Sequence, residues 1–238
     1  MIIDAERLDY AQLGEILRET EEPCVIRGCL GQRFIAAGMG ERSLSIYGVP
    51  GNALGAYMNG ARVEVFGNAQ DAAGDTMNAG RIIIHGSAGD ALGYAMRGGE
   101  IYVCGSVGYR AGVHMKAYGD TVPVMVIGGA AGSFLGEYQA GGIIIVLGLG
   151  ADGPLAGDFP CAGMHGGRVF LRSDCRDIVF PEQVSAREAT REDISGISNY
   201  IAEYCRLFGA DEDGLLSSRF TVVEPDAQNP YRQLYAAN

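Results

Sequence analysis

Glycine and methionine recur in this chain at an interval of 19 residues, and no other feature restricts its fold so strongly. Gly48, Gly67, Gly86 and Gly105 form one column, and Gly55, Gly74, Gly93 and Gly112 a second. Met39, Met58, Met77, Met96 and Met115 form a third. After Met115 the register slips by five residues and resumes at Gly129, with Gly136 and Gly148 in phase; a further slip of six leads to Met164. A short fixed period marks a stacked-repeat architecture, in which each unit buries its apolar face against its neighbours. About seven copies of the unit cover residues 25–173.

Each unit ends in a short strand-like run: LSIYG, RVEVFG, RIIIHG, EIYVCG, VMVIGG, IIIVLG and RVFLRS. Because strand side chains alternate faces, one face carries Leu44/Ile46, Val63/Val65, Ile82/Ile84 and Ile101/Val103. It continues through Met125/Ile127, Ile144/Val146 and Val169/Leu171. All of these positions are apolar, so this face is interior. Helical repeats do not fit, because glycine inside a helix costs about 1 kcal/mol relative to alanine. Leucine-rich repeats do not fit either, since their L-x-x-L-x-L pattern is absent. The remaining architecture is an all-β parallel β-helix. Left-handed β-helices are built on hexapeptide faces, which suits a 19-residue interval poorly, and the crossover rule favours the right hand. Glycine in such a stack supplies φ > 0 corners and allows close approach of neighbouring coils.

The flanks read as helical additions, giving an N-terminal helix and cap (1–24), a β-helix (25–173) and a C-terminal helical extension and tail (174–238). Residues 4–19 read as a helix with Asp4 as N-cap and Leu8, Leu13, Ile16 and Leu17 on one stripe. Thr190 with Asp193 forms a capping-box variant ahead of Ile194, Ile197, Ile201, Tyr204, Cys205 and Phe208, and Gly209 stops that helix. Since solenoids need capped ends, both helices are expected to cap. A strand-like FTVVEP (220–225) and a polar tail reaching Tyr231 and Tyr235 follow.

Composition removes several classes of function. Lys+Arg 18 against Asp+Glu 29 leaves a net charge of −11, which opposes binding to a nucleic-acid backbone. No basic amphipathic face, secretory start or membrane-length apolar run is present, so neither nucleic acid nor membrane is an expected partner and the expected location is cytoplasmic. Cys24, Cys29, Cys104, Cys161, Cys175 and Cys205 form no C-x-x-C pair, and reduced buried thiols are expected.

The segment Gly48–Lys116 resembles the G-X-G-X-G domain that closes the large subunit of glutamate synthase. The resemblance is carried by GNALGAYMNGARVEVFG, GNAQDAAGDTMNAGRIIIHG, GSAGDALGYAMRGGEIYVCG and GEYQAGGIIIVLG, with CAGMHGGRVFLR at the end. The same repeat occurs in one of the subunits of formylmethanofuran dehydrogenase. The chain is similar to a stand-alone form, as in split glutamate synthases and N-methylglutamate synthase. The resemblance implies a right-handed β-helix that holds catalytic parts in place and performs no chemistry itself. It implies FMN and an iron–sulfur cluster on partner chains, an FMN-containing synthase subunit and a glutamine amidotransferase subunit as partners, and no catalytic, cofactor-binding or metal-ligating residue here. Homo-oligomerisation is an open alternative.

Several residues could carry chemistry of another kind. Gly148–Gly153 is formally G-x-G-x-x-G after a strand, but Pro154 follows where a dinucleotide site needs a helix. His85, His114 and His165 have the spacing of no metal motif, and Ser87, Ser106 and Ser133 lack a nucleophile elbow. Asp71, Asp75 and Asp90 sit in turns, where acids lining a groove would suit a polysaccharide-cleaving β-helix and ordinary turn chemistry also suffices. The methionine column reads as an interior ladder. The outward strand positions are more informative. One column is Tyr47, Phe66, His85, Cys104, Gly128, Leu147 and Arg172, and a second is Ser45, Glu64, Ile83, Tyr102, Val126, Ile145 and Phe170. A solvated face should be polar, and from Ile83 to Phe170 this one is not; either terminal segments cover it or a partner does. The readings are therefore a scaffold subunit of a glutamate synthase-type complex, the same scaffold in a formylmethanofuran dehydrogenase-type complex, or a stand-alone β-helix enzyme.

Overall fold

The computed structural model describes residues 1–226. Strands β1 (Ile2–Asp4), β2 (Cys24–Leu30), β3 (Ser43–Val49), β4 (Asn59–Phe66), β5 (Ala79–Ile84), β6 (Glu100–Val103), β7 (Val124–Ile127), β8 (Ala140–Val146) and β9 (Gly166–Leu171) pair in parallel, in chain order. The result is a β-solenoid of about eight turns, with β1 and β2 added to the seven strands read from sequence. Leu44, Val63, Ile82, Ile101, Met125, Ile144 and Val169 lie in register across β3 to β9. Every inward strand position named above is at most 1 % exposed.

Each coil closes through a tight turn and a second short contact, where Ala69, Ala88, Val107, Ala131 and Ala156 bridge in parallel. The turn repeats positive φ at alternate residues, as at Ala53, Gly55 and Tyr57. In the five central coils, from Ala53 to Tyr138, glycine occupies only the middle of these three columns; the first coil has Ala36 there with Gly38 beside it, and the last has Cys161 with Gly163. A Cβ at Gly93 would lie 2.4 Å from Met125 Cε, and one at Gly74 2.5 Å from Ile101 Cδ1, because this column faces the packed interior. The flanking columns point away from it and hold Ala95, Arg110, His114, Phe134 and Tyr138 at similar φ. The Gly48 and Gly67 column has a separate cause: a Cβ at Gly67 would lie 2.5 Å from the Gly48 carbonyl oxygen of the previous coil. The first register slip is a small hairpin in which Tyr118 bridges Thr121, and the second is the loop in which Leu155 folds back towards Gly148.

At the N-terminal end the helix begins later than residue 4. Ile2 and Ile3 pair with Val25 and Ile26, which keeps the backbone extended through Asp4. Helix α1 (Tyr10–Glu19) starts at Asp9, whose carboxylate accepts from Ala11 N and Gln12 N while Gln12 Oε1 accepts from Asp9 N. Leu8 and Leu13 occupy the hydrophobic-staple positions. Leu13 and Leu17 close the open end of the core, with Leu8 and Ile16 against it.

At the other end, β11 (Thr221–Pro225) runs antiparallel to β9, and β10 (Val184–Glu188) antiparallel to β11. Cys175 and Val184, with Ile178 and Phe180, close the C-terminal end of the interior. Helix α2 (Arg191–Phe208) has the expected Thr190–Asp193 box and stops at Gly209 in the left-handed conformation. It does not cap the stack; it lies across the outer face of the sheet, where Ile197, Ile201, Tyr204 and Cys205 join Tyr102, Val126, Ile145 and Phe170 in a second core. The short α3 (Glu212–Leu216) adds Leu215 to that core. Tyr231 and Tyr235 lie outside the described residues. Among the described residues no helix is long and apolar enough to cross a membrane.

Asp193 anchors α2. It is buried and accepts from Arg187 and from Thr190 N and Oγ1, and Arg168 stands 3.6 Å away. The Arg187 hydrogen bonds hold its carboxyl well below the usual carboxylate range, outweighing burial. A depressed folded pKa gives stability that is complete above the unfolded value, about pH 4, and is lost as pH falls below it. Asp193→Ala should cost about 1–2 kcal/mol near neutrality through the lost helix-start network, and the difference from wild type should shrink in acid, as read by urea titrations across pH. Two glycine-column changes should separate space from conformation. Gly67→Ala should destabilise by about 1–3 kcal/mol through overpacking, whereas Ala95→Gly, at φ +50, should stabilise by up to about 1 kcal/mol by relieving left-handed strain.

Candidate interaction surface

The polar residues of the turns are engaged between coils. Asn52 Oδ1 accepts from Asp71 N at 3.3 Å, Asp71 Oδ1 from Asp90 N at 2.9 Å, and Asp90 Oδ1 from Tyr109 N at 2.8 Å. Beside them, Asn68 accepts from Ser87 N, Ser87 from Ser106 N, and Ser106 from Ala130 N. Ser133 Oγ accepts from Asp158 N, and Asp75 accepts from the Thr76 hydroxyl. Backbone amides that the short strands leave over are thus met by the previous coil, with Asp71 and Asp90 among the acceptors, while the Asp75 carboxylate engages its neighbour Thr76 instead.

The histidines lie in three settings. His85 is on the outer sheet face, 3.0 Å from Glu64 Oε1, with its ring stacked on Phe66 and edge-on to Phe208. His114 stacks on Tyr138 at a turn corner, and His165 Nδ1 is 3.1 Å from the Gly163 carbonyl. Among the described residues no group of three or more His, Cys, Asp or Glu could hold a metal ion. Gly148–Gly153 forms a loop, with Gly148 and Gly150 at positive φ and no helix opening behind it. The six thiols are free, and burial pushes Cys29 up to about 11 and Cys161 up to about 12, so both stay protonated near neutrality.

Met39 of the first coil is only partly buried, beside α1, but the rest of the methionine ladder is interior: Met58, Met77, Met96, Met115 and Met164 are fully buried. Between the last two stands Gln139, also fully buried, 24 residues after Met115 and so in the same column once the five-residue slip is counted. Its Nε2 donates to the Gly141 and Gly142 carbonyls at 3.1 Å, while Oε1 has no hydrogen-bond partner among the described residues. The column spacing identifies this position from sequence, although methionine periodicity alone passes over it.

The outer sheet face divides in two. Over β6 to β9 the chain's own α2 covers it, and the Tyr204 hydroxyl donates to the Cys104 carbonyl at 3.2 Å. Beyond Phe208 the cover ends. There Tyr47, Phe66 and His85 continue the outward column as a stacked row, with ring centroids 4.6 and 4.8 Å apart. Tyr47 is 46 % and Phe66 39 % exposed. Beside the row, Arg62 pairs with Glu64 at 3.0 Å, and Arg81 pairs with Glu100 of its neighbouring strand and Glu203 of α2. Burial alone would raise Glu64, but hydrogen bonds from His85 and Arg62 outweigh it and hold the carboxyl below its ordinary value. At the turn corners the exposed Phe159 stacks on the half-buried Phe134, over which Arg110 lies. A groove of about 890 Å³ runs between α1 and the first turn, lined by Tyr10, Leu17, Phe34 and Met39 with Arg18 and Arg42.

The sequence profile of the GXGXG motif family matches residues 20–225. An uncharacterized protein of Methanocaldococcus jannaschii is 46 % identical over 250 aligned positions, spanning 99 % of this chain and 96 % of that protein. Among solved structures, a chain of the formyltransferase/hydrolase complex from Methylorubrum extorquens, determined with methylofuran, matches with a TM-score of 0.63. It is 22 % identical, over 83 % of this chain and 71 % of that one, and the likeness is one of fold.

The acceptor role of the turn acids separates structure from chemistry by substitution. Asp90→Asn keeps an oxygen for Tyr109 N and should change stability by less than about 0.5 kcal/mol, whereas Asp90→Ala should cost about 0.5–1.5 kcal/mol by removing that hydrogen bond. Chemical denaturation of the two variants measures the difference.

Proposed function

The chain belongs to the GXGXG motif family, and on that premise we propose that it is a non-catalytic scaffold subunit of a larger enzyme complex. The observation that carries this reading is the outer sheet face. One continuous surface is sealed by α2 over half its length and left with exposed aromatic rings over the rest. Exposed apolar patches of this kind mark binding surfaces, and aromatic residues with arginine are enriched where partners dock. The turn ladders add support, because the Asp and Ser side chains that a hydrolytic site would draw on accept backbone amides instead.

A formylmethanofuran dehydrogenase-type complex, with this chain in the role of the repeat-bearing subunit, is supported by the fold likeness to a chain of the formyltransferase/hydrolase complex. A second reading, a glutamate synthase-type oxidoreductase, is supported by the runs GNALGAYMNGARVEVFG and GSAGDALGYAMRGGEIYVCG. In that reading FMN and an iron–sulfur cluster sit on partner chains, alongside an amidotransferase subunit.

Gentle purification of the tagged chain from its native cells, with absorbance spectra and identification of co-eluting proteins, tests both. Formyl-transferring subunits would establish the first complex type; a flavin spectrum with amidotransferase and synthase chains would establish the second. A lone, colourless chain would overturn the scaffold reading.

A further inference from the structure

Resting on the scaffold reading, we propose that the uncovered outer face over β3 and β4 seats an amphipathic helix of a partner subunit, and that this helix carries carboxylates along one flank. The chain's own α2 serves as the template. Over β6 to β9 the same face accepts a helix whose apolar stripe fills the space above the outward strand residues. Where α2 ends, Glu203 reaches Arg81. Arg62 occupies the position in register with Arg81 one coil towards the N-terminus, and its only ion-pair partner among the described residues is Glu64 of its own strand. A carboxylate presented to Arg62 would therefore repeat the Arg81–Glu203 pair one coil further along. Apolar side chains beside that carboxylate would cover Tyr47 and Phe66 as Ile201 and Tyr204 help to cover Tyr102 and Ile145.

The pieces suit an interface in energetic terms. Tyr47 and Phe66 are held by stacking on each other, so covering them costs little side-chain entropy. A rigid aromatic row beside an arginine has the composition of a binding hot spot. Phe66 is stacked between Tyr47 and His85, which occupies its ring faces and suits contact with apolar side chains better than stacking on a sugar ring.

A photo-crosslinking residue replacing Phe66, in the complex purified from native cells, tests the proposal, with the same residue at the exposed Tyr109 on the turn side as control. The expected result is a crosslink from position 66, and not from 109, to a helix of a partner subunit bearing Asp or Glu on one flank. Arg62→Gln should lower co-purification of that subunit at least tenfold, with the isolated chain still melting cooperatively within a few degrees of wild type, while Arg97→Gln leaves co-purification unaltered. Crosslinks from 66 to a second copy of this chain (distinguished by mixing heavy and light protein), to the chain's own residues, or to a segment without acids would overturn the proposal. So would an intact complex with no crosslink at 66. If no complex forms at all, the scaffold reading fails instead.

Discussion

Everything in this protein depends on one coil resting on the next at hydrogen-bonding distance. Parallel strands sit about 4.8 Å apart, and the solenoid holds that spacing through its strands, its short second contact and its turns alike. No side chain fits where backbone meets backbone, which is why Gly48, Gly67, Gly86 and Gly105 recur. The turn amides cannot all join the strand ladder, so Asn68, Asp71, Ser87 and Asp90 accept them from the following coil. The regularity of the sequence follows from this single geometric demand.

Stacking also decides where the chain is free to vary. Residues at positive φ tolerate a Cβ if it points outward, so the flanking turn columns carry rings, alanines and an arginine, while the inward column is glycine in the central coils and gives way to Ala36 and Cys161 only in the first and last. Insertions enter at corners, as at Tyr118–Thr121, and the strands on either side keep their register. A solenoid of this kind offers long, stiff faces whose chemistry can change coil by coil. Its outer sheet face shows such a change, from mixed polar and aromatic residues at one end to uniformly apolar ones at the other.

Helix α2 is the response to that apolar end. Burying Tyr102, Ile145 or Phe170 is worth about 1.5–3 kcal/mol each, and the Asp193 network fixes where the helix starts. The helix ends at Gly209, so the cover ends at His85 and leaves Tyr47 and Phe66 open. The division between a self-sealed and an open surface is thus set by the length of one helix.

Strands β3 to β9, their register, the interior methionines and the apolar stripes of α1 and α2 were legible in the chain, because period 19 and alternation of faces are local patterns repeated many times, whereas β1, β2 and β10 lie outside the repeated strand runs and were not. The start of α1 was not: Asp4 and Asp9 are both good caps, and only the pairing of Ile2 and Ile3 with β2 chooses between them. The seat of α2 was equally hidden, since its apolar stripe would serve a solenoid end or a solenoid side, and contact with residues far away in sequence selects the side. Gln139 sat in plain view in the methionine column, but its burial with an unpartnered Oε1 is a fact of packing. Repetition is written in sequence because every coil meets the same neighbour; what happens once, at an end or on a face, is decided by distant contacts that only the tertiary structure brings together.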